Sequence, residues 1–304
     1  MILDGKTFVI TGGLGSIGGA TAAQIVAKGG NAIIFDILPE EAAKEKIKSF
    51  ANPERYFYSK TDITSREVLE ASLQEMLKVI PKGSLFGAVH CAATNPNVPW
   101  TNKMSDKLKD FETVLKVNAY GTFLVDALIA DAINSQYAPL DVFHERVIEE
   151  RGCIVNLASV VGHTPPARCL TYGPSKTCVL GITEAAADFL APCGIRVNSL
   201  APALVISPLM QSGDRIQYFK DAVEGYSMFP RRFTTPDEIA AACLFLLENS
   251  MMNAFHLKVD AGWRQVTSWA NGVDRQIINS PSHSSDLYHL RPNAELYHEP
   301  ITRP

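Results

Sequence analysis

The chain has 304 residues, a formal net charge of −4, and 46% hydrophobic against 20% charged residues. That is room for one large α/β domain or two small ones, in the composition of an ordinary soluble globular protein. The acidic balance argues against a nucleic-acid surface as the main function, and six cysteines with no CxxC pair argue against a disulfide framework or zinc ribbon.

"KTFVIT" (6–11) is a short apolar run that stops at glycines and reads as a buried strand. "SIGGATAAQIVAKGG" follows at helical spacing and ends on Gly29-Gly30, a stop signal. "NAIIFD" (31–36) is the second strand, "PEEAAKEKIKSF" a polar helix begun by Pro39, and "YFYSKTD" the third strand. Ser65 is the expected cap of the amphipathic helix "SREVLEASLQEMLKVI". "LFGAVHCAA" (85–93) is a fourth strand, followed by helical stretches near 105–117 and 119–135. "GCIVNLAS" (152–159), "GIRVNSLAP" and "FHLKVDAG" complete the strands, with the helices "TYGPSKTCVLGITEAAADFLA" and "TPDEIAAACLFLLEN" between them. Strands alternating with helices predict a Rossmann-like, doubly wound α/β fold. The expected sheet is parallel, of about seven strands, with helices on both faces.

The composition shifts once, after Trp263. The expected organisation is a domain over 1–263 and a C-terminal extension over 264–304 rich in Ser, Pro, His and Asn. "MILDGKTFVITGG" enters a strand at once and leaves no room for a targeting peptide. The longest apolar run, "IAAACLFLL" from Ile239, is too short to span a bilayer. A cytoplasmic protein with no membrane or nucleic-acid partner is the expectation.

"ITGGLGSIGGA" (10–20) offers two registers for a dinucleotide-binding turn. Read as T-G-x-x-x-G-x-G from Thr11, its middle glycine is replaced by Ser16; read as G-x-G-x-x-G from Gly13, it is complete. Glycines let backbone approach a pyrophosphate, and a helix N-terminus favours its charge. An ordinary tight turn would use the same residues. Asp36 ends the second strand, about twenty residues beyond the glycines, where a carboxylate can bond ribose hydroxyls and repel the extra phosphate of NADP. The plainer alternative is a strand-end helix cap. Tyr172 and Lys176 lie four apart at a helix start, so they share a face. Ser159 ends the preceding strand, at the edge where such folds place their sites. An ammonium beside a phenol, whose ordinary pKa is about 10, would lower that value and let Tyr172 accept a proton from an alcohol. Y-x-x-x-K also arises by chance; its place between a strand and a long helix removes most of that doubt.

These motifs resemble the short-chain dehydrogenase/reductase family over roughly residues 4–263. "TDIT", "HCAA", "KVNAYGTF", "VNLAS", "NSLAPALVISP" and "LKVDAGW" add to the likeness. Within it, "VHCAA", "FLAPCGIRVNSLAPALVISPLM" and the long segment before the fifth strand are most similar to the branch of type 2 3-hydroxyacyl-CoA dehydrogenases, also called 17β-hydroxysteroid dehydrogenases type 10. The resemblance implies NAD as cofactor, a small apolar alcohol or ketone as substrate, and a homotetramer. It implies a tetrad of Asn118, Ser159, Tyr172 and Lys176, with Ser159 holding the substrate oxygen and Asn118 supporting a proton relay from Lys176. It places Gly12, Gly15, Ser16, Ile17 and Gly18 in the cofactor loop and Asp36 with Ile37 at the ribose. Asp62 and Ile63 would hold the adenine, and Cys91 and Ala92 would line the wall beside the ribose. Tyr172 and Lys176 would also touch the cofactor, and Pro202, Ala203, Val205 and Ser207 would face its nicotinamide end.

Three residues depart from the family pattern: Ser16, Ala93 and Ala203 each add atoms where glycine is usual. Aligned to the family, Gly15 and Ser16 look exchanged. Ser16 is then tolerable at negative φ and its hydroxyl could cap the helix, while Gly15 supplies the flexibility or close approach. The histidines lack metal-ligand spacing, so no metal is expected; His90 reads as structural and His163 as a loop residue near the substrate. Two other functions remain open: a dehydrogenase of specialised metabolism acting on a polycyclic intermediate, and a non-catalytic NAD-binding scaffold.

Overall fold

In a computed structural model, residues 3–96, 103–166, 169–207 and 215–264 are described. The extension beyond Arg264, with its three aromatic residues, and part of the "NPNVPWTNKM" loop lie outside them. The elements in order are β1 (Thr7–Thr11), α1 (Ser16–Ala27), β2 (Asn31–Asp36), α2 (Glu40–Lys48), β3 (Tyr56–Lys60), α3 (Arg66–Val79) and β4 (Leu85–His90). They continue as α4 (Leu108–Leu115), α5 (Gly121–Asn134), β5 (Gly152–Leu157), α6 (Val160–His163), α7 (Tyr172–Leu190), β6 (Ile195–Pro202), α8 (Arg215–Tyr226), α9 (Pro236–Glu248) and β7 (His256–Val259).

The strands form one seven-stranded sheet in the order β3-β2-β1-β4-β5-β6-β7, parallel throughout. Every residue of β1, β4, β5 and β6 is buried, as expected of apolar strands covered on both faces. One face packs Ala22 and Ile25 of α1, Ala43 and Ile47 of α2, and Ile239, Cys243 and Leu247 of α9. The other packs Leu69 and Leu73 of α3, Val125 and Ile129 of α5, and Ala187 and Leu190 of α7. The winding reverses between β1 and β4, so their C-terminal ends flank the crevice where such sheets place ligands.

Local signals account for the boundaries. Gly29, at φ 82°, ends the turn after α1. Ser65 caps α3 by accepting from the Val68 amide at 3.3 Å, and Thr235 and Glu238 form a capping box at α9, with Pro236 at its first position. None of the six cysteines forms a disulfide. The helical run Met104–Asn134 is apolar and long enough to cross a membrane, which the shorter Ile239 run had hidden because polar residues interrupt it. Half of that window is buried, and α5 lies against β4 and α7, as a core helix does.

Candidate active site

The loop between β1 and α1 turns on Gly12, whose φ of 61° suits glycine. A Cβ there would lie 3.0 Å from the backbone of Ala92, so the first and fourth strands meet across it. Gly15 is the N-cap of α1 at φ −76°, and Ser16 is its first residue. The left-handed turn belongs to Gly12, and Gly15 supplies the expected close approach, because a Cβ there would lie 3.1 Å from the Gly12 carbonyl oxygen. Ser16 sits inside the helix and does not cap it, which corrects that part of the expectation. Gly18, which follows Ile17, is the most tightly packed glycine of this loop: a Cβ would fall inside contact distance of the Gly12 carbonyl oxygen and 2.8 Å from the Gly13 Cα. The first turn of α1 has neither a side-chain cap nor an acidic residue, which leaves the positive end of its dipole open to a phosphate. Glycine-cradled backbone and an open helix start fit a dinucleotide. Ser16→Gly should therefore change cofactor affinity by less than about tenfold, roughly 1.4 kcal/mol, by calorimetry.

Asp36 closes the loop from the other side. Its Oδ2 accepts from the Leu14 amide at 3.0 Å and its Oδ1 from the Leu38 amide at 3.3 Å. Ile37 beside it is 72% exposed. Asp62 is exposed and accepts from the amide and hydroxyl of Thr64, both at 2.8 Å. Ile63 is a core residue under Gly121. Cys91 and Ala92 sit at the end of β4, where the Thr11 carbonyl accepts from the Cys91 amide and the Thr11 hydroxyl from the Ala92 amide. Burial pushes the Cys91 thiol well above its usual range. His90 is structural: its Nδ1 lies 2.8 Å from the Thr11 hydroxyl, and burial drives its pKa down to about 3.

Ser159 follows β5 and caps α6, its Oγ 3.4 Å from the Val161 amide and 3.5 Å from the Pro202 carbonyl oxygen. These long contacts position the hydroxyl without saturating it. The Ser159 hydroxyl acts on the nearby Tyr172 phenol and favours its ionised form. Lys176, one turn along α7, is buried and donates to the Leu157 carbonyl at 2.6 Å. Its Nζ lies 5.7 Å from the centre of the Tyr172 ring.

The electrostatics differ from the expectation that Lys176 lowers the Tyr172 pKa. Burial raises the phenol above its ordinary value, Cys169 adds to the rise, and Ser159 opposes it. Burial likewise lowers Lys176 to about 8. Burial disfavours the charged form of each group, and the ammonium is bound to a backbone carbonyl rather than the phenol.

Asn118 lies in a π-helical turn, Lys116–Tyr120, between α4 and α5. Such turns recur at functional positions. Its Oδ1 accepts from the Thr94 amide at 2.8 Å, and its Nδ2 donates to the Thr94 carbonyl at 2.9 Å and to Ser175 Oγ at 3.0 Å. The side chain thus braces the segment after β4 against α7, and no bond between described residues joins it to Lys176. Thr94 and Ser175 are the supporting residues that motif spacing did not pick out. Pro202 ends β6. Ala203 donates to the Val259 carbonyl, Val205 bridges Thr234, and Ser207 follows at the last described position of this segment. No cluster of three metal-ligating side chains occurs among the described residues.

A family model described as Enoyl-(Acyl carrier protein) reductase matches residues 12–264. The human 3-hydroxyacyl-CoA dehydrogenase type-2 is 30% identical over 270 residues, covering 86% of this chain and 96% of its own length. An NAD-dependent glycerol dehydrogenase from Listeria innocua is 28% identical over 265 residues, covering 85% and 93%. The solved structure of 3-hydroxyacyl-CoA dehydrogenase type-2 from Mycobacterium avium superposes with a TM-score of 0.72 at 28% identity, over 86% of this chain and 96% of that one.

Proposed function

The chain belongs to the short-chain dehydrogenase/reductase family of oxidoreductases, and from that premise we propose that it interconverts a secondary alcohol and a ketone on a small apolar substrate, with NAD as cofactor. The observation that carries this reading is the grouping of Ser159, Tyr172 and Lys176 at the C-terminal edge of the sheet, with Ser159 acting on the phenol and the Lys176 ammonium 5.7 Å from its ring centre.

Bound there, the nicotinamide would supply hydride transfer to or from the alcohol carbon. The residues proposed to hold the cofactor are the loop from Gly12 to Gly18, Asp36, Asp62 and the β4 end at Cys91 and Ala92. Ser159 Oγ orients the substrate oxygen, and Tyr172 Oη exchanges the proton with it. Oxidation releases one proton overall; reduction consumes one. With its pKa raised, Tyr172 is protonated at neutral pH and ready to donate in reduction. Lys176 keeps a positive end near the phenol, and Asn118 holds α7 through Ser175.

NAD should be preferred over NADP by about tenfold or more in kcat/KM, because the Asp36 carboxylate, fixed at Leu14, would face the added phosphate. A preference for NADP would overturn this role of Asp36. An assay of purified protein with NAD and a panel of hydroxyacyl thioesters, steroid and terpenoid alcohols tests the reaction itself. The reading extends to a homotetramer in the cytoplasm. Leu108, Tyr120, Phe123 and Phe189 expose large apolar surface on α4, α5 and α7 and the turn joining α4 to α5. A monomer by light scattering at micromolar concentration would contradict the oligomer.

A further inference from the structure

We propose that Asp126 is a neutral carboxylic acid in the folded protein, joined to the Asn156 amide by a reciprocal pair of hydrogen bonds. We infer further that this pair clamps together α5, β5 and α7, of which the first two adjoin Asn118 and Ser159 and the third carries Lys176. The proposal goes beyond the reaction above and holds whatever the substrate is.

Asp126 lies in the middle of α5 and is 2% exposed; Asn156 lies in β5 and is fully buried. Asn156 Nδ2 donates to Asp126 Oδ2 at 2.8 Å and to Thr183 Oγ1 of α7 at 3.3 Å. The remaining oxygen of each group, Asp126 Oδ1 and Asn156 Oδ1, is buried with no donor. Two orphaned acceptors on two groups already joined by one hydrogen bond are what an ionised carboxylate leaves behind. One proton on Asp126 Oδ1 supplies the missing donor and satisfies both oxygens at once. An ionised carboxylate there would need a cation, because a buried lone charge is costly.

No ion pair reaches Asp126 among the described residues. Of the elements packed on α5, β4 brings His90, which burial keeps neutral, and α7 brings Lys176, whose ammonium is bound to the Leu157 carbonyl. The buried residues of α3 are Leu69, Ser72 and Leu73, none of them charged. The turn before α5 brings Asn118 and the exposed Lys116 and Tyr120. Burial accordingly raises the Asp126 carboxyl to about 7, against the pull of the Asn156 bond.

The position gives the pair its consequence. Asp126 is about two helical turns beyond Asn118, Thr183 about two turns beyond Lys176, and Asn156 three residues before Ser159. One acid–amide pair therefore ties α5, β5 and α7 together just below the candidate site.

The folded state binds this proton in a range where the unfolded chain, with a carboxyl near 3.9, does not. Stability should fall as pH rises from about 4 to about 7, with the loss complete above the folded pKa. Asp126→Asn mimics the neutral acid in shape and bonding. It should fold, match the wild type at about pH 5, and exceed it at about pH 9 by a melting shift of several degrees. Asp126→Ala, which orphans Asn156, should be less stable at both. Infrared spectra at about pH 5 should contain a deuterium-sensitive carboxylic-acid C=O band that Asp126→Asn lacks. Failure of Asp126→Asn to fold, an equal loss at both pH values, or a spectrum without that band would each overturn the proposal.

Discussion

A Tyr172→Phe variant is expected to lose about 10²–10⁴-fold in turnover in both directions while binding cofactor within about twofold of the wild type. The phenol is the titratable group on which the Ser159 hydroxyl acts, and the substitution removes a single oxygen from the ring. Geometry around the site should survive, so the loss would fall on kcat. The raised phenol pKa fixes the sign of the pH dependence. As a base, Tyr172 must first lose its proton, so oxidation should accelerate as pH rises toward the alkaline range; as an acid it is already charged with its proton, so reduction should hold through neutrality and then decline. Steady-state rates against pH, with a separate cofactor titration, check both parts. A Phe variant that kept most of its rate would remove Tyr172 from the acid–base role.

The second large effect is expected at Gly18→Val, with cofactor binding weakened by about a hundredfold or more, roughly 2.7 kcal/mol. The reason lies in the turn itself. A Cβ at Gly18 collides with backbone of Gly12 and Gly13, which cannot rotate aside as a side chain would. The loop must open, and the first-turn amides of α1 move with it. Ser16→Gly, two residues away, only deletes a hydroxyl at a helix start. Calorimetry on the two variants, with circular dichroism to show that both fold, separates the positions. Equal, small effects would mean that this loop does not hold the dinucleotide.

Much of this was legible in the sequence because the physics is local. Apolar runs of strand length between amphipathic helices specify a parallel sheet, and Ser65 and Thr235 announce their helices. Tyr172 and Lys176 share a helix face at any resolution of the fold. What needed coordinates was long-range. That Gly12 rather than Gly15 takes the left-handed turn depends on Ala92, eighty residues on. That Asn118 grips Thr94 and Ser175 depends on how α7 lies against the end of β4. The phenol's raised pKa follows from burial, which a Y-x-x-x-K spacing does not encode. Asp126 sits in an apolar helical stretch and has no motif; its role shows only when Asn156 is placed against it.

The most direct measurement is the fate of a labelled hydride. Purified protein is incubated with NADH deuterated at the transferring position and the ketone that corresponds to an alcohol of the substrate panel, and the product is read by mass spectrometry and NMR. The account predicts deuterium on the carbinol carbon of a secondary alcohol with the wild type, and none above background with Tyr172→Phe. Deuterium on the β-carbon of an enoyl thioester instead, or cofactor binding with no transfer to any carbonyl tested, would contradict it.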